Sequence, residues 1–298
     1  MQPLVTIITP LTGGPERREN LRSWVSKIHN LAINLVLVHD ENDPETRKEV
    51  SEIAALLPNH QVKVVHGFFG SPGGARNAGL ELVESEWVVF WDSDDVGEPE
   101  NLLRVIEANL DSSVIICAFT KNSDFEPSVS SLITIGKRRD TYLQLANQGG
   151  LWRYVMKKEF IKDLRFSHNK MGEDQQFIVG LNLYNVEVRK SDTVVYHYFY
   201  GADGHLTSNR QIQGQVELTL DAVRDQLIKQ NRKFDLFETA IYFKLFLSVC
   251  KYSQPSKKIS AINKFLLLVF IKGKVDFRHL VKIFVNLLVE YKENLRAS

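Results

Sequence analysis

Asp92-Ser93-Asp94-Asp95 follows the apolar run Trp87–Trp91. Asp92 and Asp94 are two apart, and in extended chain that spacing turns both carboxylates to one side. Two carboxylates converging from a strand end suit a hard divalent cation, Mg²⁺ or Mn²⁺. Read in isolation, the same residues equally make a solvated acidic turn that caps the next helix. An EF-hand is excluded, because Val96 and Leu103 stand where oxygen ligands are needed. A second acidic pair, Glu173-Asp174, follows Gly172 at the start of a short helix, where a carboxylate caps the helix or serves as a base.

Three further segments could touch a ligand. His39-Asp40-Glu41-Asn42-Asp43 follows a second apolar run. An acid there can accept a hydrogen bond from a nucleobase or ribose, or cap a helix. Gly70-Ser71-Pro72-Gly73-Gly74-Ala75-Arg76-Asn77 opens a helix through glycines that permit close backbone approach, and Arg76 could reach a phosphate. It has neither the Walker lysine nor the GxGxxG spacing. His197, in the strand-like run Val194–Phe199, and His205, in Gly204-His205-Leu206-Thr207, serve packing, hydrogen bonding or a metal.

The elements that would carry these residues alternate. Pro3–Thr9, Ile33–Val38, Val62–Val65, Trp87–Trp91 and Val114–Phe119 read as strands. Between them, Glu16–His29, a segment entered at Asp43-Pro44, Pro72–Val83 and a segment entered at Glu98-Pro99 read as helices. Alternation of this kind predicts a parallel-rich sheet covered on both faces. Ligands in such sheets sit beyond the carboxyl ends of the strands, where the acidic segments fall.

Composition agrees with a folded domain and narrows its partners. The chain has 298 residues, with 24% charged and 44% hydrophobic. A net charge of +1 is far from the basic balance of a general nucleic-acid binder. The longest apolar run, Phe265–Ile271, is too short to cross a bilayer, and no signal peptide is readable at Met1-Gln2-Pro3-Leu4. Cys117 and Cys250 match no metal spacing and read as reduced, buried thiols. A cytoplasmic protein is expected, with peripheral contact at the inner face of the cell membrane as an option.

Charge and pattern change near residue 210. Residues 211–298 carry seven more basic than acidic residues, and residues 1–210 six more acidic than basic. The boundary is therefore placed between a domain of 1–210 and a helical C-terminal region of 211–298. Ile212, Val216, Leu220, Val223 and Leu227 recur at helical spacing, as do Phe277, Leu280, Val281, Phe284, Leu287, Leu288 and Tyr291. Such stripes pack on the domain, pair two subunits, or, with nearby lysines, rest on anionic lipid.

The order of the motifs resembles one family. Arg76-Asn77-Ala78-Gly79-Leu80 followed by Trp87–Asp95, then Tyr154–Phe160, Arg165-Phe166 and Glu173-Asp174, is similar to the family 2 glycosyltransferases of GT-A fold over roughly residues 4–210. The resemblance implies an inverting transfer from a UDP-, GDP- or dTDP-sugar to a saccharide or lipid-linked acceptor hydroxyl, in surface polysaccharide or glycoconjugate assembly. It implies that Thr9, Pro10, Asp40, Arg76, Asp92 and Ser93 surround the donor, and that Asp94, with Asp92, ligates Mn²⁺ or Mg²⁺. It further makes Asp174 the general base, Glu173 its neighbour, and Trp152 a residue of the acceptor side. The chain departs from the family pattern at three places. His39 replaces an acid after the second strand, Phe199 stands where an arginine is common, and a "SLT"-like segment reads His205-Leu206-Thr207. His197 and His205 compete to complete the metal site, with His197 favoured. The rival readings are a sugar nucleotidyltransferase, faintly suggested by Thr12–Arg17, and a non-catalytic nucleotide-sugar-binding protein on the same fold.

Overall fold

A computed structural model describes residues 3–11, 18–41, 46–122, 131–133, 146, 150–183, 186–199, 216–230 and 232–285. The chain forms two compact units, 1–135 with 150–208, and 136–149 with 209–298.

The first unit is built on one nine-stranded mixed sheet. Its strands are β1 (Val5–Leu11), β2 (Ile33–Asp40), β3 (Val62–Gly67), β4 (Trp87–Phe90), β5 (Val96–Gly97), β6 (Val114–Asn122), β7 (Ser131–Ile133), β8 (Tyr154–Lys157) and β9 (Val188–Phe199). Their order is β3-β2-β1-β4-β8-β6-β9-β5, with β7 paired to β6. The first four are mutually parallel, as the alternating pattern predicts. β8 is an antiparallel insertion between β4 and β6, and only four residues long. Nothing in so short a run separates it from a loop by periodicity.

The helices between the strands are α1 (Arg18–Val25), α2 (Thr46–Ala54), α3 (Pro72–Leu80), α4 (Pro99–Glu107) and α5 (Glu173–Gly180). Each of α1, α2 and α4 buries one apolar stripe against the sheet: Leu21, Trp24 and Val25; Val50 and Ile53; Leu102, Val105 and Ile106. The core they share with β1, β2 and β4 closes around an edge-to-face contact of Trp24 and Trp91, 5.1 Å apart.

Proline in a central strand is unusual, since it cannot donate to the ladder. Pro10 is tolerated because the β1–β4 pairing ends at Ile8 and Phe90. The Trp91 amide bonds the Ile8 carbonyl, so even-numbered β1 residues face β4, and Pro10 faces the space beyond its end.

The second unit is helical where it is described: α6 (Val216–Lys229), α7 (Leu236–Tyr252), α8 (Pro255–Leu266) and a further helical stretch over 277–285. Asp235 and Glu238 form a reciprocal capping box at the start of α7, with Arg232 held on Glu238 at 2.7 Å. Of the first stripe read from the sequence, Val216, Leu220, Val223 and Leu227 are buried, and Ile212 lies outside the described residues. Lys257 and Lys264 on α8 pair with Glu217 and Asp221 on α6. Among the described residues no helix is long and apolar enough to cross a membrane. Cys117 is buried as expected, whereas Cys250 is half-exposed.

Candidate active site

The site is assembled in the first unit, from the turn after β4, the N-terminal part of α3 and the start of α5. Ser71 caps α3 by accepting the Gly74 amide, and Pro72 occupies the first helical position. Gly73 has no room for a side chain: a Cβ would lie 2.2 Å from the Ser167 carbonyl and 3.2 Å from Glu173 Cγ. That close approach brings α3 against the 166–173 segment.

The next turn of α3 fastens the two together. Asn77 donates to the Phe166 carbonyl and accepts from the Phe166 amide, both at 2.9 Å, so its side chain replaces a backbone partner. Arg76 donates to Glu173 at 2.7 Å and to Asp92 at 2.8 Å. With only 7% of its surface exposed, the guanidinium is a strut between two acidic segments 81 positions apart in the chain. The sequence reading sends Arg76 to a nucleotide phosphate. In the structure its two Nη atoms are each committed to a different carboxylate, a division that the fork of a guanidinium allows.

Residues 92–95 alternate in exposure: Asp92 and Asp94 are half-exposed, Ser93 and Asp95 buried. The chain turns at Ser93-Asp94-Asp95, so this exposure is set by a turn and not by the extended-chain spacing from which the pair was expected. Ser93 is buried in that turn. Asp95 plays a separate part. Its carboxylate accepts from the Tyr196 hydroxyl at 2.7 Å and the Phe199 amide at 2.8 Å, while the Tyr196 oxygen accepts from the Asp92 amide. Burial, together with the neighbouring Asp94 and Asp92 charges, holds the Asp95 carboxyl well above the ordinary range.

At the start of α5, Gly172 has φ 81°, a left-handed conformation that glycine adopts without steric cost. This turn places Glu173 inward on Arg76 and leaves Asp174 half-exposed at a cleft of ≈ 150 Å³. Asp92, Trp152, Lys170 and Asp174 share that cleft. Burial and the Glu173 charge lift the Asp174 carboxyl from 3.8 to about 7, against the opposing pull of Arg76. Trp152 is held by stacking on Tyr196, 4.8 Å between centroids, and on Tyr198 at 5.5 Å.

Other expected residues fall elsewhere. Both ring nitrogens of His197 are engaged, by Thr120 at 2.7 Å and Glu98 at 3.1 Å. Alternation along β9 points it away from the face that carries Tyr196, so the structure does not bring His197 to Asp92 and Asp94. His205 lies outside the described residues. Thr9 and Pro10 are buried near the carboxyl end of β1. Asp40 accepts from the Gly70 amide at 3.1 Å and so ties the loop after β3 to the end of β2. Among the described residues no group of three or more His, Cys, Asp or Glu is placed to hold a metal ion by itself. Asp92 and Asp94, two half-exposed carboxylates, are of the oxygen-ligand chemistry that suits a hard divalent cation. The sequence reading misses Asn77, Lys170 and Tyr196. Only the period-two alternation of Val194–Phe199 signals that Tyr196 and His197 have different partners.

The comparisons with known proteins bear on the family and the fold. The family model "Glycosyl transferase family 2" matches residues 7–167. The chain is 22% identical to EpsH of Bacillus subtilis (strain 168) over 242 residues, 74% of this chain and 69% of EpsH. Its structure is similar to S. aureus TarS 1–349, solved in complex with UDP-GlcNAc, with a TM-score of 0.64 and 18% identity, covering 90% of this chain and 81% of that one. It is also similar to the mannosyltransferase PcManGT of Pyrobaculum calidifontis, solved with GDP-Man and Mn²⁺, with a TM-score of 0.59 and 15% identity, covering 100% and 83%. At such identities the structural likeness is one of fold, the expected GT-A arrangement. With the family match spanning more than half of its length, the chain belongs to glycosyl transferase family 2.

Proposed function

We propose that the first unit transfers a sugar, with inversion, from a nucleoside-diphosphate sugar to an acceptor hydroxyl, and that Asp174 is the general base. The observation that carries this reading is the cleft between Asp92 and Asp174, in which one carboxyl has its pKa lifted to about 7. A base poised near neutral pH is half ionised there, and strong enough to take a hydroxyl proton. The acceptor oxygen attacks the anomeric carbon as the bond to the donor's diphosphate oxygen breaks, and the hydroxyl proton passes to Asp174. One displacement inverts the anomeric centre, and no covalent intermediate forms. Arg76 holds Glu173 and Asp92 in fixed relation, so that the base and the donor side keep their separation. Trp152, stacked in place, offers a flat apolar wall on the acceptor side. Asp92 and Asp94 would hold Mn²⁺ or Mg²⁺, which supplies positive charge to the leaving diphosphate. The bound ligands of TarS and PcManGT support a nucleotide-sugar donor, and that of PcManGT a divalent cation.

The test is a thermal-shift screen of UDP-, GDP- and dTDP-sugars with and without Mn²⁺. A ligand at about 100 times its Kd stabilises the folded state by about 2.7 kcal/mol. Wild type should gain this shift with one nucleotide class, and Asp94→Asn should lose its metal-dependent part along with most turnover. Full wild-type activity in excess EDTA would remove the metal. Release of pyrophosphate instead of a nucleoside diphosphate would move the protein to the nucleotidyltransferases.

A further inference from the structure

Large apolar side chains stand exposed in one stretch of the second unit. Along α8 and its continuation, Ile259, Ile262, Leu266 and Phe270 lie on the surface at positions i, i+3, i+7 and i+11. Over 277–285 the same holds for Phe277, Val281, Phe284 and Val285, at i, i+4, i+7 and i+8. These are two helical faces turned to water, with Phe270 72% and Phe277 65% exposed. Their opposite faces are satisfied within the unit, where Ala261, Leu268 and Ile283 are buried. Elsewhere among the described residues the exposed large apolar residues, Leu56, Phe68 and Leu110 in the first unit and Leu218, Leu247 and Tyr252 in the second, form no such run at helical spacing.

The charge on the same stretch selects the partner. Residues 255–285 contain seven Lys or Arg and one acid, Asp276. Lys257 and Lys264 are taken by α6, and Arg278 by Asp276. Lys258, Lys272, Lys274 and Lys282 interleave with the apolar stripes. A second copy of this face would bring like charge against like charge. A lipid surface rich in anionic headgroups accepts both components, with apolar side chains entering the headgroup boundary and lysines remaining among phosphates. We propose that α8 and the 277–285 helix lie on an anionic membrane surface and hold the enzyme there peripherally.

Vesicle co-sedimentation of the full chain tests this, with phosphatidylcholine vesicles that contain or lack phosphatidylglycerol, at low and high salt. Wild type should sediment with the anionic vesicles at low salt, and be largely released by salt or by omission of phosphatidylglycerol. The variant Lys272→Gln/Lys274→Gln/Lys282→Gln should partition on the order of 10²-fold more weakly, at about fivefold per lysine. Phe270→Ser/Phe277→Ser, at exposed positions, should lose vesicle binding while its melting temperature stays within a few degrees of wild type. The proposal is overturned if wild type ignores anionic vesicles, or if both variants bind them as wild type does. It is also overturned if the phenylalanine variant turns a dimer into a monomer in sedimentation velocity, for the stripes then belong to a second copy.

Discussion

The turn after β4 and the start of α5 each raise the pKa of a carboxyl group, Asp95 fully buried and Asp174 half-exposed, and they use it differently. Asp95 is enclosed, and both its oxygens are met by donors from β9. Asp174 keeps its edge on the cleft, and its carboxylate accepts from the adjacent Gln175 amide. Asp95 therefore fixes the turn, and Asp174 is left able to exchange a proton. A raised pKa marks desolvation in either case; access and the number of hydrogen-bond partners separate the proposed base from the brace.

The largest effect that can break this contrast is at Asp174. Asp174→Asn keeps the shape and removes basicity, so turnover should fall by roughly 10²–10⁴-fold while the donor-induced thermal shift survives. Near-normal turnover would transfer the role to Glu173. The same variant carries a signed pH test. Wild-type activity should rise with pH through about 7, as Asp174 ionises. Between its ordinary 3.8 and about 7, the folded state keeps a proton that the unfolded chain has lost. Rising pH therefore withdraws stability across that window. Asp174→Asn, which does not ionise, should melt a few degrees higher than wild type at pH 8, with the difference gone at pH 4. A wild-type pH profile flat from 6 to 8 would contradict the assignment.

Arg76→Lys probes the strut between the two regions. A single ammonium cannot fork to Glu173 and Asp92 at once, so turnover should drop by about 10²-fold, the scale of a small misplacement of reacting groups. If steady-state kinetics show less than a twofold change, the alignment of donor side and base does not depend on Arg76. The smallest effect on turnover belongs to the brace. Tyr196→Phe leaves Asp95 and the Asp92 amide each short of a partner, which should cost about 1–3 kcal/mol of stability in urea unfolding. Turnover should fall far less than for Asp174→Asn. An unchanged unfolding midpoint would show that the hydroxyl does not hold the turn.

The sequence alone determined much of the first unit. The parallel strands were readable from apolar runs, α3 from the glycines at its entry and α4 from Glu98-Pro99, because these signals are local. The Arg-Asn and Glu-Asp motifs pointed to the family, but not to what they touch. Only the tertiary structure decided that Arg76 joins Asp92 to Glu173, that Asn77 clasps Phe166, that Asp95 belongs to Tyr196, and that His197 is spent on Thr120 and Glu98. The C-terminal stripes show the same division. Helical spacing predicted apolar stripes over 212–227 and 277–291; of their described members, Val216, Leu220, Val223 and Leu227 are buried, whereas Phe277, Val281 and Phe284 are exposed. Periodicity records which side chains share a face. What that face meets depends on contacts between residues far apart in the chain, and no local pattern encodes them.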